Sequence, residues 1–283
     1  MSITSSSVLV EMNISVWTAN KHDKNATTKV IDDNGAAIDA GRFQKNLMAG
    51  TTLRKQIADY AAGCRLWHNT RTLPWSDKGP RLLPTSLFLD YKQEANMRRD
   101  HMLGMVDEFL SNYQPLIQTA QNYLGHMFDA NDYPSVDEVA QKFGFRLVFS
   151  PLPTSGDFRI DVPHQELKEM QDQYEHSFNA RLGEAMRQPW DQLHKMLMDM
   201  SAKLTDSDED TKRRWYDSFV TNAQVMCGML THLNITKDPA LEQARRDLEV
   251  TMLGADIEDI KESPAVRADM KSKVDAMLKK YEW

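Results

Sequence analysis

Hydrophobic positions recur at three- and four-residue steps over two long stretches of the chain, residues 85–128 and 163–204. The first carries Leu87, Tyr91, Ala95, Met102, Phe109, Tyr113, Leu116 and Ala120; the second carries Leu167, Tyr174, Phe178, Leu182, Leu193, Leu197, Met200 and Leu204. Such steps place apolar side chains on one helical face. About 42 helical residues at a rise of 1.5 Å would span on the order of 60 Å. Pro115 and Pro189 interrupt the stretches, because a proline ring blocks a backbone hydrogen bond, so each should kink or divide. Residues 144–162 lie between them. FRLVFS (145–150) and the alternating 157–162, joined by a Pro/Gly loop, predict a β-hairpin. A short connection leaves helical neighbours antiparallel. The expected fold is mainly α: an elongated helical bundle with two long antiparallel helical segments and a small antiparallel β element. It forms a single domain over 1–283, with 85–204 as a long helical hairpin.

The remaining pattern fills in shorter elements. Val8, Val10, Met12, Ile14 and Val16 alternate with polar residues, as in a half-buried strand that could join the hairpin. A helix is expected from about residue 17 to Asn34-Gly35, followed by helices over 36–48 and 51–70. Three prolines and a glycine argue against regular structure in 69–84, NTRTLPWSDKGPRLLP. Ser135 and Glu138 have the spacing of a capping box. Helices are expected over about 208–233, 238–254 and 264–281, with Pro239 and Pro264 in first turns.

Composition narrows the functional classes. With 283 residues, 41% hydrophobic, the chain can bury a sizeable core. A net charge of −7 disfavours general nucleic-acid binding but leaves room for a local basic patch. The two cysteines, Cys64 and Cys227, are too few and too far apart for a disulfide framework or a zinc motif, and read as reduced thiols. The N-terminus lacks the pattern of a signal peptide, and no apolar run approaches membrane-spanning length. These features lead us to expect a cytoplasmic protein without membrane association.

Sites with chemistry are sparse. The phosphate-loop, dinucleotide-fingerprint, GxSxG and HExxH patterns are all missing, and the eight histidines are scattered. No catalytic residue, metal or cofactor is expected. Asp206, Asp208 and Asp210 suit a helix N-terminus better than a calcium loop, which needs glycine where Thr211 stands. Met196, Met198, Met200, Met226 and Met229 fit core filling before an adaptable binding surface. Arg213, Arg214, Trp215 and Tyr216 combine base and aromatic, the mix used to stack single-stranded nucleic acid; an ordinary solvated helix face with a buried Trp215 explains them more simply. The 69–84 loop offers Trp75, Asp77 and Arg81 as interface anchors, or as straps holding the loop down. Asp157 and Arg159, in the expected hairpin, could join them at a partner-binding surface.

VLVEMNISVWTANKHDK (8–24), DAGRFQKNLM (39–48), LPWSDKGPRLLP (73–84), ANDYPSVDEVAQKFGFRLVFSPLP (130–153), GDFRI (156–160) and LNITKDPALEQARRDLE (233–249) together cover much of the chain. In these tracts it resembles a family of uncharacterised proteins, a domain of unknown function, from tailed bacteriophages and prophages. Genes of that family often neighbour those for a MoxR-type AAA+ ATPase and a von Willebrand A-type protein. The resemblance implies a phage protein acting in the host cytoplasm with such an ATPase, and it supplies no catalytic residues. The reading is a non-enzymatic interaction or adaptor protein with a protein partner. Its alternatives are an inhibitor of a host antiphage defence complex and a single-stranded nucleic-acid accessory protein. Homo-oligomerisation, or a coiled coil between chains, is left open by periodicity alone.

Overall fold

The computed structural model describes residues 3–77, 79–158, 162–205, 209–253, 257–281 and 283, with the backbone alone described at 209–219, 257 and 261. The fold is mainly helical with a small antiparallel sheet. In chain order the elements are α1 (Ile3–Ser6), β1 (Ser7–Ser15), β2 (Asn20–His22), α2 (Lys24–Asp33), β3 (Gln44–Asn46), α3 (Leu53–Arg71), β4 (Leu73–Pro74) and β5 (Arg81–Pro84). Then come α4 (Phe88–Ser111), α5 (Tyr113–Leu124), α6 (Val136–Ala140), β6 (Gly144–Ser150), α7 (His164–Ala185) and α8 (Arg187–Thr205). The chain closes with α9 (Glu209–Leu233), α10 (Pro239–Met252), α11 (Ile257–Glu262) and α12 (Pro264–Lys280). No described helix is long and apolar enough to cross a membrane.

The chain divides into two compact units. Unit 1 comprises residues 1–11, 69–91 and 149–283; unit 2 comprises 12–68 and 92–148. Both long hydrophobic stretches are divided, as their prolines require. The breaks fall at Asn112 and Met186, and Pro115 and Pro189 each stand third in the helix that follows. A missing N–H costs nothing there, because first-turn donors have no intrahelical acceptor. The two stripes serve different cores. Met102, Val106, Phe109 and Tyr113 are buried in unit 2. Leu193, Leu197, Met200 and Leu204 are buried in unit 1.

In unit 1, α8–α12 bury one apolar cluster, with Leu193, Leu230, Leu241, Leu248 and Val274 at its centre. Ser263 and Asp238 cap the two proline-led helices through bonds to Val266 N and Ala240 N. A second cluster joins Leu9, Leu73, Trp75, Leu82, Leu152, Ala185 and Leu233. Here β1 pairs antiparallel with β5 (Leu9 opposite Leu82), and β5 with β4 (Leu73 opposite Leu82). Four of the five methionines grouped around α8 and α9 are core or core-edge residues; Met198 is exposed.

Unit 2 packs Trp17 edge-on against Phe109 and Tyr113, and Phe109 against Phe143. Ser135 and Glu138 form the expected capping box. The chain returns through a small antiparallel ribbon of β2 and β3. At its centre Lys45 is nearly buried. Its Nζ donates to Asp132 Oδ2 at 2.6 Å and to Met127 O at 2.7 Å, with Asp23 Oδ2 at 3.7 Å. Burial alone would lower the Lys45 pKa, but the bond and charge of Asp132, with Asp23, raise it instead.

Several expectations are corrected. The helix expected from residue 17 starts only at Lys24; Ala19 takes φ 53°, a left-handed geometry that a helix cannot carry. Its end at Asn34-Gly35 is as expected, with Gly35 at φ 58°. Residues 36–48 form no helix: Gln44–Asn46 is a strand, exposed–buried–exposed, because its inward residue is the ion-paired Lys45. The 69–84 segment contains β4 and β5. Pro74 is tolerated because β4 is an edge strand, and Pro84 because it ends β5. The expected hairpin over 144–162 is also revised. β6 neighbours β1 in the strand order, while Ser155–Asp157 is a 3-10 turn and Phe158 and Val162 are not in strands. Residues 159–161 lie outside the described residues. Cys64 and Cys227 are free and buried, and no metal-ligating cluster occurs among the described residues.

Removing one partner of a buried ion pair leaves the other uncompensated. Lys45→Met should therefore destabilise unit 2 by about 3–5 kcal/mol, whereas Lys55→Met, at the exposed Lys55–Asp59 pair, should cost under about 1 kcal/mol. Hydrogen exchange of unit 2 amides measures both. In unit 1, hydrogen bonds from Arg245 and Arg246 pull the Glu242 carboxyl from 4.5 down to about 2. A carboxylate with a depressed folded-state pKa contributes stability above its unfolded value and loses it as pH falls. The Glu242→Gln variant should thus show a shallower loss of unit 1 stability between pH 4.5 and about 2, seen in urea melts across that range.

Candidate partner-binding cleft

Trp75–Asp77 and Gly79–Pro80 connect β4 to β5, with Lys78 outside the described residues, and the β-ladder fixes the base of the connection. A Cβ at Gly79 would lie 2.5 Å from Ser76 Oγ, so a larger residue there would make the Ser76 side chain shift. Trp75 is buried and meets Phe178 of α7 edge-on, with ring centroids 5.0 Å apart. Phe178 in turn meets Tyr174, and Tyr174 meets Phe158. This aromatic row clamps the turn and the 153–158 segment to one side of α7. Tyr174 adds a hydrogen bond from its hydroxyl to Pro153 O.

Arg81 begins β5 and crosses to two helices. Its Nε donates to Thr72 Oγ1 at 2.7 Å. Its Nη2 donates to Thr72 O at 2.9 Å, to Gln188 Oε1 at 2.6 Å and, at 3.4 Å, to Asn69 O. Gln188 completes the mesh by donating to the same two carbonyls, Asn69 O and Thr72 O. The end of α3, the start of β5 and the first turn of α8 thus share one guanidinium. All of its acceptors are neutral. Burial lowers the Arg81 pKa, partly offset by Tyr91, and no carboxylate among the described residues is paired with it. That is unusual, because a desolvated cation normally has an anionic partner.

Arg81 also lines a cleft of about 360 Å³ with Pro74, Trp75, Ser76, Asp77, Arg181 and Glu184. The volume is within the usual range for small-ligand or side-chain pockets. Asp77, Arg181 and Glu184 are exposed, so the cleft is a floor of one constrained cation under a rim of mixed charge.

Of the residues singled out by sequence, Trp75, Asp77 and Arg81 come together here. Asp157 is occupied elsewhere, its carboxylate accepting from Thr154 N and Oγ1 as a cap. Arg159 lies outside the described residues. Arg213, Arg214, Trp215 and Tyr216 fall on α9, but their side chains, with the stacking patch they would make, are likewise outside what is described. Sequence reasoning missed Gln188, Arg181 and Glu184. They are about a hundred residues away from Arg81, and single polar residues in a helical stripe carry no signal of such a contact. A Ser86 Oγ–His232 Nδ1 contact of 2.9 Å also arises in unit 1. His232 has no other hydrogen-bond partner among the described residues, so the third group that would orient a catalytic base is not seen.

Comparison of the chain with protein-family models, with curated proteins and with solved structures finds no match.

The mesh around Arg81 gives a stability prediction. Hydrogen bonds to charged groups contribute about 1.5–3 kcal/mol. Gln188→Ala should therefore lower unit 1 stability by about 1–3 kcal/mol, while Asp77→Asn on the rim should change it by less than about 0.5 kcal/mol. Chemical denaturation of the two variants makes the comparison.

Proposed function

We propose that the protein is a non-enzymatic interaction module and that the cleft over Arg81 is where a protein partner docks. One observation supports this above others: a half-buried guanidinium, paired with no carboxylate among the described residues, lines an open cleft beside a turn braced from both sides. Interface hot spots combine such constrained arginines with aromatic residues in pockets that a partner can fill. Bracing lowers the ordering cost of binding, because the turn need not be immobilised on contact.

The partner suggested by the resemblance to phage proteins is a MoxR-type AAA+ ATPase, which places the module as an adaptor in the host cytoplasm. That assignment rests on gene neighbourhood in the resembling family, and the cleft supplies a physical means for it. An ATPase adaptor needs a rigid recognition surface and no catalytic group of its own.

The test is affinity capture from phage-infected cells, using the wild-type chain and the double variant Asp77→Arg/Arg181→Glu. Both positions are exposed, so the variant should keep the wild-type circular dichroism and melting curve. A partner enriched by the wild type and reduced at least tenfold with the variant supports the module and its site. Absence of any enriched protein, with the chain behaving as an inert monomer, would defeat the reading.

A further inference from the structure

We infer that the group received by this cleft is a carboxylate, supplied by a glutamate or aspartate side chain of the partner beside a basic residue; this rests on the docking role proposed above. A guanidinium carries five N–H donors. In Arg81 the Nε donor and the Nη2 pair are spent on Thr72, Gln188 and Asn69. Nη1 makes no hydrogen bond to a described residue, which leaves its two donors for a ligand in the cleft that Arg81 lines.

The charge arrangement says which ligand. Arg81 is paired with no carboxylate among the described residues, and Arg181 on the same cleft adds a second cation, so an anion is favoured beside them. Asp77 and Glu184 line the cleft too, and they oppose a dianionic phosphate while favouring a cation next to the bound anion. A monoanionic carboxylate with a neighbouring lysine or arginine satisfies all four groups. The Arg81–carboxylate bond would form out of bulk water, where charge-assisted bonds are strongest. The guanidinium is already held by four neutral acceptor atoms, so little side-chain entropy remains to be lost.

The full chain, labelled with 15N, is titrated with Ac-Lys-Glu-NH2, Ac-Lys-Gln-NH2, Ac-Lys-Ala with a free C-terminal carboxylate, and inorganic phosphate. The readouts are the Arg81 guanidinium and Trp75 indole resonances. Saturable shifts with Ac-Lys-Glu-NH2 are expected, with binding at least tenfold weaker for Ac-Lys-Gln-NH2 and for the Arg181→Gln protein. Equal binding of the Glu and Gln peptides would overturn the inference, as would tighter binding of phosphate. Response to the free C-terminus alone would replace a side-chain ligand with a chain end and equally overturn it. No saturable shift with any probe does the same. If a partner is captured from cells through the cleft yet the peptides fail, the docking reading stands and the carboxylate assignment falls.

Discussion

The guanidinium of Arg81 is the constraint on which the candidate site depends. It joins the end of α3, the first residue of β5 and the first turn of α8 through neutral acceptors only. Were those acceptors carboxylates, the charge would be neutralised inside the fold and the cleft would have little reason to attract an anion. Satisfying the geometry with a hydroxyl, carbonyls and an amide holds the side chain in place without pairing it to a carboxylate among the described residues. The same bonds therefore fix the local structure and keep the binding potential.

Positioning comes from elements that are unremarkable one by one. Leu73 and Leu82 face each other across the β4–β5 ladder and are fully buried, which sets the register at the base of the turn. Trp75 leaves the ladder and is gripped by Phe178. The charged side chains of Asp77, Arg181 and Glu184 are then displayed where burial ends. Apolar packing thus lies below and exposed charge above. Unit 2 uses a different device: the Lys45 ammonium is neutralised internally by Asp132 and Asp23, so it contributes to folding and offers no free charge. The buried Lys45 and the half-buried Arg81 thus differ in their acceptors, carboxylates for one and neutral groups for the other.

The sequence made some of this legible. Helical periodicity found α3, α8, α10 and α12, and the capping-box spacing found α6, because both are local rules whose partners lie within a few residues. Trp75, Asp77 and Arg81 stood out because a proline-rich loop with an aromatic and opposite charges is unusual. What failed was non-local. The strand at Gln44–Asn46 is polar on two of its three residues, and its inward Lys45 makes sense only once Asp132, some ninety residues on, is in place. The two long stripes contribute to different hydrophobic clusters, since period reports that a face is buried and not against what.

The same limit explains why Gln188 escaped notice and why it matters. In the sequence, Pro189 reads as an interruption of a long helix. In the fold the break falls at Met186 and α8 begins at Arg187, which leaves the first-turn side chain of Gln188 free to bond outside its own helix. Gln188 uses that freedom to reach Arg81 Nη2 while its own amide caps the carbonyls of Asn69 and Thr72. Pro189 thus shapes the cleft indirectly. By ending one helix and starting another, it places the amide that keeps Arg81 aligned without cancelling its charge. A proline read in sequence only as a disruption is, in the folded chain, part of what builds the candidate cleft.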